Sequence, residues 1–381
     1  MSETQLSAGA SASRQPRALI QVAGTPVGGW ASWEVTQPTY FEAATFGIAF
    51  AVGALPAAND AAWWLSQTSD IFLEVFAGFP QNPAQPQPSE LTRLIYGRAD
   101  HIEYRPAQGL IEVTGRDYAG AFIDNKLIAT YENQTASQIV SALVSKRGVP
   151  VDQIAQSSGG AYVGTPTPNG QTELSVNGSE WDVICQLARD AGYVAYVTPA
   201  GLYWGEDPAT QDGVSPYTIT WQGGKNGAPP ISNALSLTFR RDMTIARGVA
   251  VKVFSVNIKT GKAFSASYPS TARSITPGKA SPYGASSLYT FRVRRPCTPA
   301  QAQARAQAYY RMIVAHEMHL EAALPGDDIL TPQMPIAVSG TGTPADQTYY
   351  VQSIVRSMDI EEGYTMQVQA KNLAADAEVS S

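Results

Sequence analysis

A strand–turn–strand plan occurs twice in this chain, and that repetition restricts its folding more than any other feature. In the last third, Leu324-Pro325-Gly326-Asp327-Asp328-Ile329 leads to Pro335-Ile336-Ala337-Val338-Ser339-Gly340, then to strand-like runs over Tyr349–Ile354 and Gly363–Ala370. A degraded copy lies earlier: Ser69-Asp70-Ile71 to Gly78, then Leu94 to Gly97, then Gly109 to Asp117. Each copy ends in a strand, a glycine-containing turn, a second strand and a polar exit, Arg116-Asp117 in one and Lys371-Asn372 in the other. A chain carrying two similar small barrels needs only three copies to make a six-fold ring.

Period-two alternation dominates the first part of the chain. Strands are expected at Ala18–Val22, Ser32–Gln37, Thr45–Val52, Ile71–Phe76, Arg93–Gly97, His101–Tyr104 and Leu110–Thr114, with a short helix between Asn59-Asp60 and Gln67. The period then changes. Thr135-Ala136-Ser137-Gln138 is a capping box ahead of the stripe Ile139, Ala142, Leu143, with Lys146-Arg147 in the last turn and Gly148 at the stop. Ser179 opens a second helix carrying Trp181, Ile184, Cys185 and Ala188 on one face, followed by a hairpin through Pro199-Ala200-Gly201. Strands resume at Tyr217–Trp221, Ala234–Arg240, Gly248–Ile258 and Tyr289–Val293. Thr298-Pro299-Ala300-Gln301 then starts a long helix, expected over 298–323, with the stripe Ala302, Ala306, Tyr309, Ile313 and Leu320.

The fold class expected is α+β, mainly β. Its parts are a mobile tail over 1–17, a first barrel over 18–117, an α/β insertion over 118–216, a second barrel over 217–372 and a tail over 373–381. Charged residues form only 15% of the chain, against roughly 25% in ordinary globular domains. So thin a charged exterior suits an obligate oligomer whose subunit contacts replace it. Net charge is −6, from 32 acidic and 26 basic residues, which argues against a nucleic-acid-binding surface. Two widely spaced cysteines, Cys185 and Cys297, do not make a disulfide framework, so synthesis in a reducing cytoplasm is expected. The apolar run Phe41–Leu55 is too short to span a bilayer.

Several residues invite a chemical reading. His316-Glu317-Met318-His319 is similar to the zinc-protease helix motif, but its histidines are three apart rather than four. They read as packing residues. Cys185 on a helix stripe reads as a small buried hydrophobe, and Cys297, beside Arg294-Arg295, as a loop thiol. Arg116-Asp117 reads as a structural ion pair or turn at a strand exit, and Asp327-Asp328 as a turn. No catalytic residue, cofactor site or metal site is assigned, and the chain is not expected to be an enzyme.

Gly115-Arg116-Asp117-Tyr118, Trp181 through Gly192-Tyr193, Gly201-Leu202-Tyr203, Pro325-Gly326-Asp327, Gly340-Thr341-Gly342 and Tyr350 through Asn372 resemble, in this order, the tail-hub family of contractile phages. That family includes the late control D proteins and is similar to the front half of type VI secretion spikes. The resemblance covers roughly Ala18 to Asn372. It implies a trimeric baseplate hub in the virion tail, whose two tube-like barrels per chain form a pseudo-six-fold ring. The expected partners are tail tube protein on one face, a trimeric spike on the other and surrounding baseplate proteins, with genomic DNA passing through an acidic bore without specific binding. Since little chain follows Asn372, spike and wall-digesting functions are expected on separate proteins. The alternatives are a baseplate cell-wall hydrolase using His316, Glu317 and His319, or a carbohydrate-binding attachment module suggested by seven Trp and 18 Tyr.

Overall fold

The computed structural model describes residues 15–131, 134–156, 162–163, 174–211, 213–224, 229–246, 249–256, 261–269, 287–292, 299–314 and 317–372. It is mainly β. One compact unit comprises Met1–Ser215, Leu324–Met334 and Gln352–Gln367; the other comprises Pro216–Ala323, Pro335–Val351 and Val368–Ser381.

The first unit begins with β1 (Arg17–Val22), β2 (Trp30–Pro38), β3 (Thr45–Ala51), α1 (Ala61–Ser66), β4 (Phe72–Gly78), β5 (Thr92–Arg105) and β6 (Leu110–Asp117). Alternation drives these strands into one core: Ile20 and Val22, Phe46, Ile48 and Phe50, Leu73 and Val75, Ile111 and Val113 all point inward. Arg17, placed at the end of the expected 1–17 tail, is the first residue of β1. The two short strands expected at 93–97 and 101–104 are a single strand, β5. A register shift against β6 between Ala99 and His101 breaks its alternation and hides its continuity from the sequence. Asp60 caps α1, its carboxylate accepting from the Trp63 N–H at 2.8 Å.

Continuing in the same unit are α2 (Ala119–Ile123), β7 (Lys126–Tyr131), α3 (Ala136–Arg147), β8 (Val151–Ile154), β9 (Leu174–Ser179), α4 (Glu180–Ala191), β10 (Val194–Thr198) and β11 (Gly201–Gly205). The expected capping box forms at Thr135, the helix expected from Ser179 proves to have one as well, and both helices stop at a left-handed glycine, Gly148 and Gly192; the box expected at Thr298 lies outside the described residues. Ile139, Leu143, Trp181, Ile184 and Trp204 fill the core between α3, α4 and the β10–β11 hairpin. Lys146 and Arg147 do more than complement the α3 dipole. Both bind the carboxylate of Glu180, whose side chain is 0% exposed, at 2.9 and 2.6 Å.

In the second unit, β12 (Tyr217–Gln222), β13 (Ser236–Arg241), α5 (Met243–Ala246), β14 (Val249–Val256), β15 (Ala263–Tyr268), β16 (Ser287–Arg292), α6 (Pro299–Val314), β17 (Met318–Pro325) and β18 (Pro335–Ser339) follow in order. Strand β17 and the strands β19 (Thr348–Asp359) and β20 (Gly363–Lys371) are each divided between the two units. The helix expected over 298–323 ends at Val314, and 318–325 is strand β17, paired antiparallel with β13 from Ser236↔Ala323 to Arg241↔Met318. Met, Leu, Glu and Ala favour helix locally, but the strand partner overrides propensity by burying Leu320, Ala322 and Leu324 on one face. Strand β15 falls in a stretch whose spacing signalled no strand. Together with β14 and β16 it carries α6 through Ala302, Ala306, Tyr310 and Val314.

The two copies read from the sequence have the same strand order. β4-β5-β6-β3-β2 are neighbours in one, and β18-β19-β20-β17-β13 in the other. The outermost strands differ, since β1 is antiparallel to β4 whereas β12 is parallel to β18. Among the described residues the pairings record no closed barrel. In the second unit one segment nonetheless serves both sheet ends: Ile231-Ser232 pair with β12 and Ser236–Arg241 pair with β17. Between them the Asn233 amide imitates a backbone, accepting from the Thr220 N–H at 2.9 Å and donating to the Thr218 carbonyl at 2.8 Å.

Two glycines are fixed by close packing. At Gly326 an added Cβ would collide with the Tyr364 ring, and at Gly115 it would meet the Arg98 carbonyl and the Phe46 ring. We expect Gly326→Ala and Gly115→Ala each to cost about 1–3 kcal/mol, read as a lowered midpoint in chemical denaturation. Gly53→Ala, where nothing lies within 4 Å, should be near neutral.

Candidate functional site

The polar exits of the two copies form one geometric motif. At the end of β6 the Asp117 N–H donates to the Ala44 carbonyl at 3.0 Å, and its carboxylate accepts from the Ala44 N–H at 2.9 Å. At the end of β20 the Asn372 N–H donates to the Met318 carbonyl at 3.0 Å, and its side-chain oxygen accepts from the Met318 N–H at 2.8 Å. Each exit residue is buried and takes both backbone groups of one residue at the start of the neighbouring strand, β3 or β17. Asp117 also accepts from the Ala119 N–H at 2.8 Å, which starts α2. Burial pushes Asp117 up to about 7, against its backbone donors and the nearby Arg116 charge, which favour the carboxylate.

Arg116 does form an ion pair, but not with its neighbour Asp117. Its guanidinium binds Asp100 at 2.6 Å and Asp124 at 2.9 Å, and Arg98 binds the same two carboxylates at 3.3 and 2.5 Å. Two cations and two anions thus alternate where the chain leaves β6 for α2.

The Pro325-Gly326-Asp327-Asp328 turn is held by a buried cation. Arg356, 2% exposed, donates to the carbonyls of Asp327 and Leu330 and to the Gln37 side chain at 2.6 Å. Asp327 closes the turn as expected, its carboxylate accepting from the N–H groups of Ile329 and Leu330 at 3.1 and 3.2 Å, while Asp328 accepts from the Thr92 hydroxyl at 3.3 Å. The sequence reading missed Arg356. Its signal was an arginine two residues after Ile354, on the same inward register of β19.

A cleft of about 220 Å³ in this unit is walled by Arg93, Tyr96, Asp117, Pro199, Gln333 and Arg356. Arg93 bridges Glu74 at 2.9 Å and the Pro199 carbonyl at 2.6 Å. Its arginines and Asp117 are thus committed to protein partners, and they brace the fold rather than present reactive atoms.

Of the histidine motif, Glu317, Met318 and His319 are described, and they lie beyond Val314, the last residue of α6. His316 and Cys297 lie outside the described residues. Glu317 follows α6, is buried and is bound by Arg241 at 2.7 Å, and His319 is on β17. His101 is exposed on β5. Cys185 is buried on α4, where burial pushes its thiol up to about 12. No group of three or more His, Cys, Asp or Glu able to hold a metal occurs among the described residues, and none of their helices is long and apolar enough to cross a membrane.

No protein-family model matches the sequence, and no curated protein matches it. Solved structures do. A tail protein from Neisseria meningitidis MC58 aligns with 94% of this chain and 97% of its own, at a TM-score of 0.67 and 13% identity. The chain has the fold of phage tail proteins. The 43 kDa tail protein of prophage MuSo2 from Shewanella oneidensis gives 0.63 and 13% over 95% and 99% of the two chains. A chain of the Francisella PdpA–VgrG complex gives 0.57 and 10%, covering 94% of this chain and 58% of the other.

The exit motif predicts two measurable effects. Asn372→Ala leaves the buried Met318 N–H without its acceptor and should cost about 1–3 kcal/mol. For Asp117 the folded-state value lies above the ordinary 3.8, so its contribution is full below pH 3.8 and is lost as pH rises through 7. Relative to Asp117→Asn, the unfolding free energy of the wild type should therefore fall by about 1–4 kcal/mol between pH 4 and 8. Urea titrations at four pH values measure this, and parallel curves for the two proteins would contradict it.

Proposed function

We propose that this chain is a structural hub of a phage-type contractile tail, a non-enzymatic trimer that adapts a six-fold tube to a three-fold spike. Residues 18–117 and 217–372 act as its two tube-like barrels, and 118–216 as an α/β insertion on the rim. The observation that carries this reading is the matched strand order with the same two-bond exit at Asp117 and Asn372. Two equivalent modules per chain give six around a three-fold axis. The end-to-end likeness to tail proteins, and the VgrG component of a named neighbour, favour the same role.

In this role no bond is made or broken. The ring offers similar barrels to tube protein above and a three-fold surface to a spike below, with other baseplate proteins around it. A net charge of −6 suits a bore through which DNA passes without sticking. The assembled location is the tail baseplate of the virion.

The purified chain should therefore be a trimer by mass photometry. Obligate interfaces bury on the order of 2,000 Å² or more, so the trimer should persist on dilution below micromolar concentration. A monomer at micromolar concentration would overturn the hub reading, and a hexamer would overturn the adaptor alone.

A further inference from the structure

Among the described residues, the sheet of β14, β15 and β16 has one face covered by a helix and one face left exposed. Helix α6 covers the face carrying Val249, Val251, Val253, Phe264 and Phe291. By alternation the other face carries Lys252, Phe254 and Val256 on β14 and Leu288, Thr290 and Arg292 on β16. Register places Arg292 beside Phe254 and Thr290 beside Lys252, and the Lys252 ammonium lies 5.1 Å from the Phe254 ring centre. Phe254 is 38% exposed, Val256 42% and Leu288 62%. Phe254 and Val256 thus form an exposed apolar pair beside the cations Lys252 and Arg292, with Leu288 beyond the Lys252–Thr290 row, a composition that marks a contact surface rather than a solvated one.

A surface of the opposite character lies at the turn between β19 and β20. Asp359 accepts from the N–H groups of Glu361 and Glu362 at 2.8 and 2.6 Å, closing a turn that leaves Ile360 95% exposed. Turn closure needs the aspartate but not an isoleucine at the next position. Glu361 and Glu362 are themselves exposed, so three carboxylates surround one bare aliphatic side chain.

We propose that this acidic turn is the knob by which one copy of the chain docks on the next, with Ile360 seated on Phe254 and Val256 and Asp359, Glu361 and Glu362 facing Lys252 and Arg292. The occupant is a second copy because this chain carries both complementary halves, each bare in the monomer. An apolar anchor ringed by opposed charges is the ordinary anatomy of a specific interface. Since the two surfaces differ, the contact is head-to-tail and closes only as a ring. The inference thus rests on the trimer proposed above and names a contact within it.

The test uses the full chain and a mass-photometry dilution series. Ile360→Asp should raise the concentration at which half the trimer has dissociated at least about tenfold. The double change Glu361→Lys with Glu362→Lys should do the same, as should Lys252→Glu with Arg292→Glu. Combining all four charge reversals should restore dissociation to within about threefold of wild type. Thermal unfolding by circular dichroism checks that each variant folds. As a second measurement, a chain carrying Ile360→Cys and Val256→Cys should give covalently linked trimers with a short bis-maleimide. A wild-type trimer unaffected by Ile360→Asp, charge reversals that do not compensate, or a cysteine pair that does not cross-link would overturn this contact and leave the trimer standing. A wild-type monomer would overturn both.

Discussion

A buried polar side chain at the end of a strand must find hydrogen-bond partners, and in this protein that requirement is met twice in the same way. Asp117 and Asn372 each take the N–H and the carbonyl of a single residue on the adjoining strand. Leaving either backbone donor unmet would cost about 1–3 kcal/mol. The bond pair therefore fixes register at the point where each sheet would otherwise fray. A slip by one residue would turn every inward side chain of β6 or β20 outward, so the cores behind these strands depend on the pair.

From Asp117 the constraint passes into the following chain. Its carboxylate starts α2, and the alternating charges of Arg98, Asp100, Arg116 and Asp124 hold the same corner. Farther along, Glu180 is buried at the start of α4 between Lys146 and Arg147 of α3. Such a pair contributes little net stability when intact, but losing one partner strands a buried charge at a cost of about 3–5 kcal/mol. Specific polar contacts thus orient these helices, while apolar packing supplies most of the energy.

Much of the fold was legible in the sequence because it is encoded locally. Alternation placed β1 to β4 and β6 within a few residues, and the capping box at Thr135 and the helix start at Ser179 placed α3 and α4 with their glycine stops. The quiet character of Asp327 and Cys185 was also readable from their contexts. Where local preference and long-range pairing disagreed, the sequence reading failed. Residues 318–325 carry helix-forming side chains, yet pairing with 236–241 makes them strand β17. The bulge at Ala99–His101 split one strand into two on paper.

By itself the sequence determined the strand-rich class, the duplicated strand plan and the capped helices, since each follows from neighbours a few residues apart. Tertiary structure decided which partner Arg116 takes, that Arg356 is the buried cation beneath the Pro325-Gly326 turn, and that Ile360 stands bare while α6 covers only one face of its sheet. Those outcomes depend on groups that the fold brings together, from 8 and 16 residues apart for Arg116 and its partners to 319 for Arg356 and Gln37. Hydrogen-bond geometry and burial in three dimensions, which no sequence spacing encodes, select them.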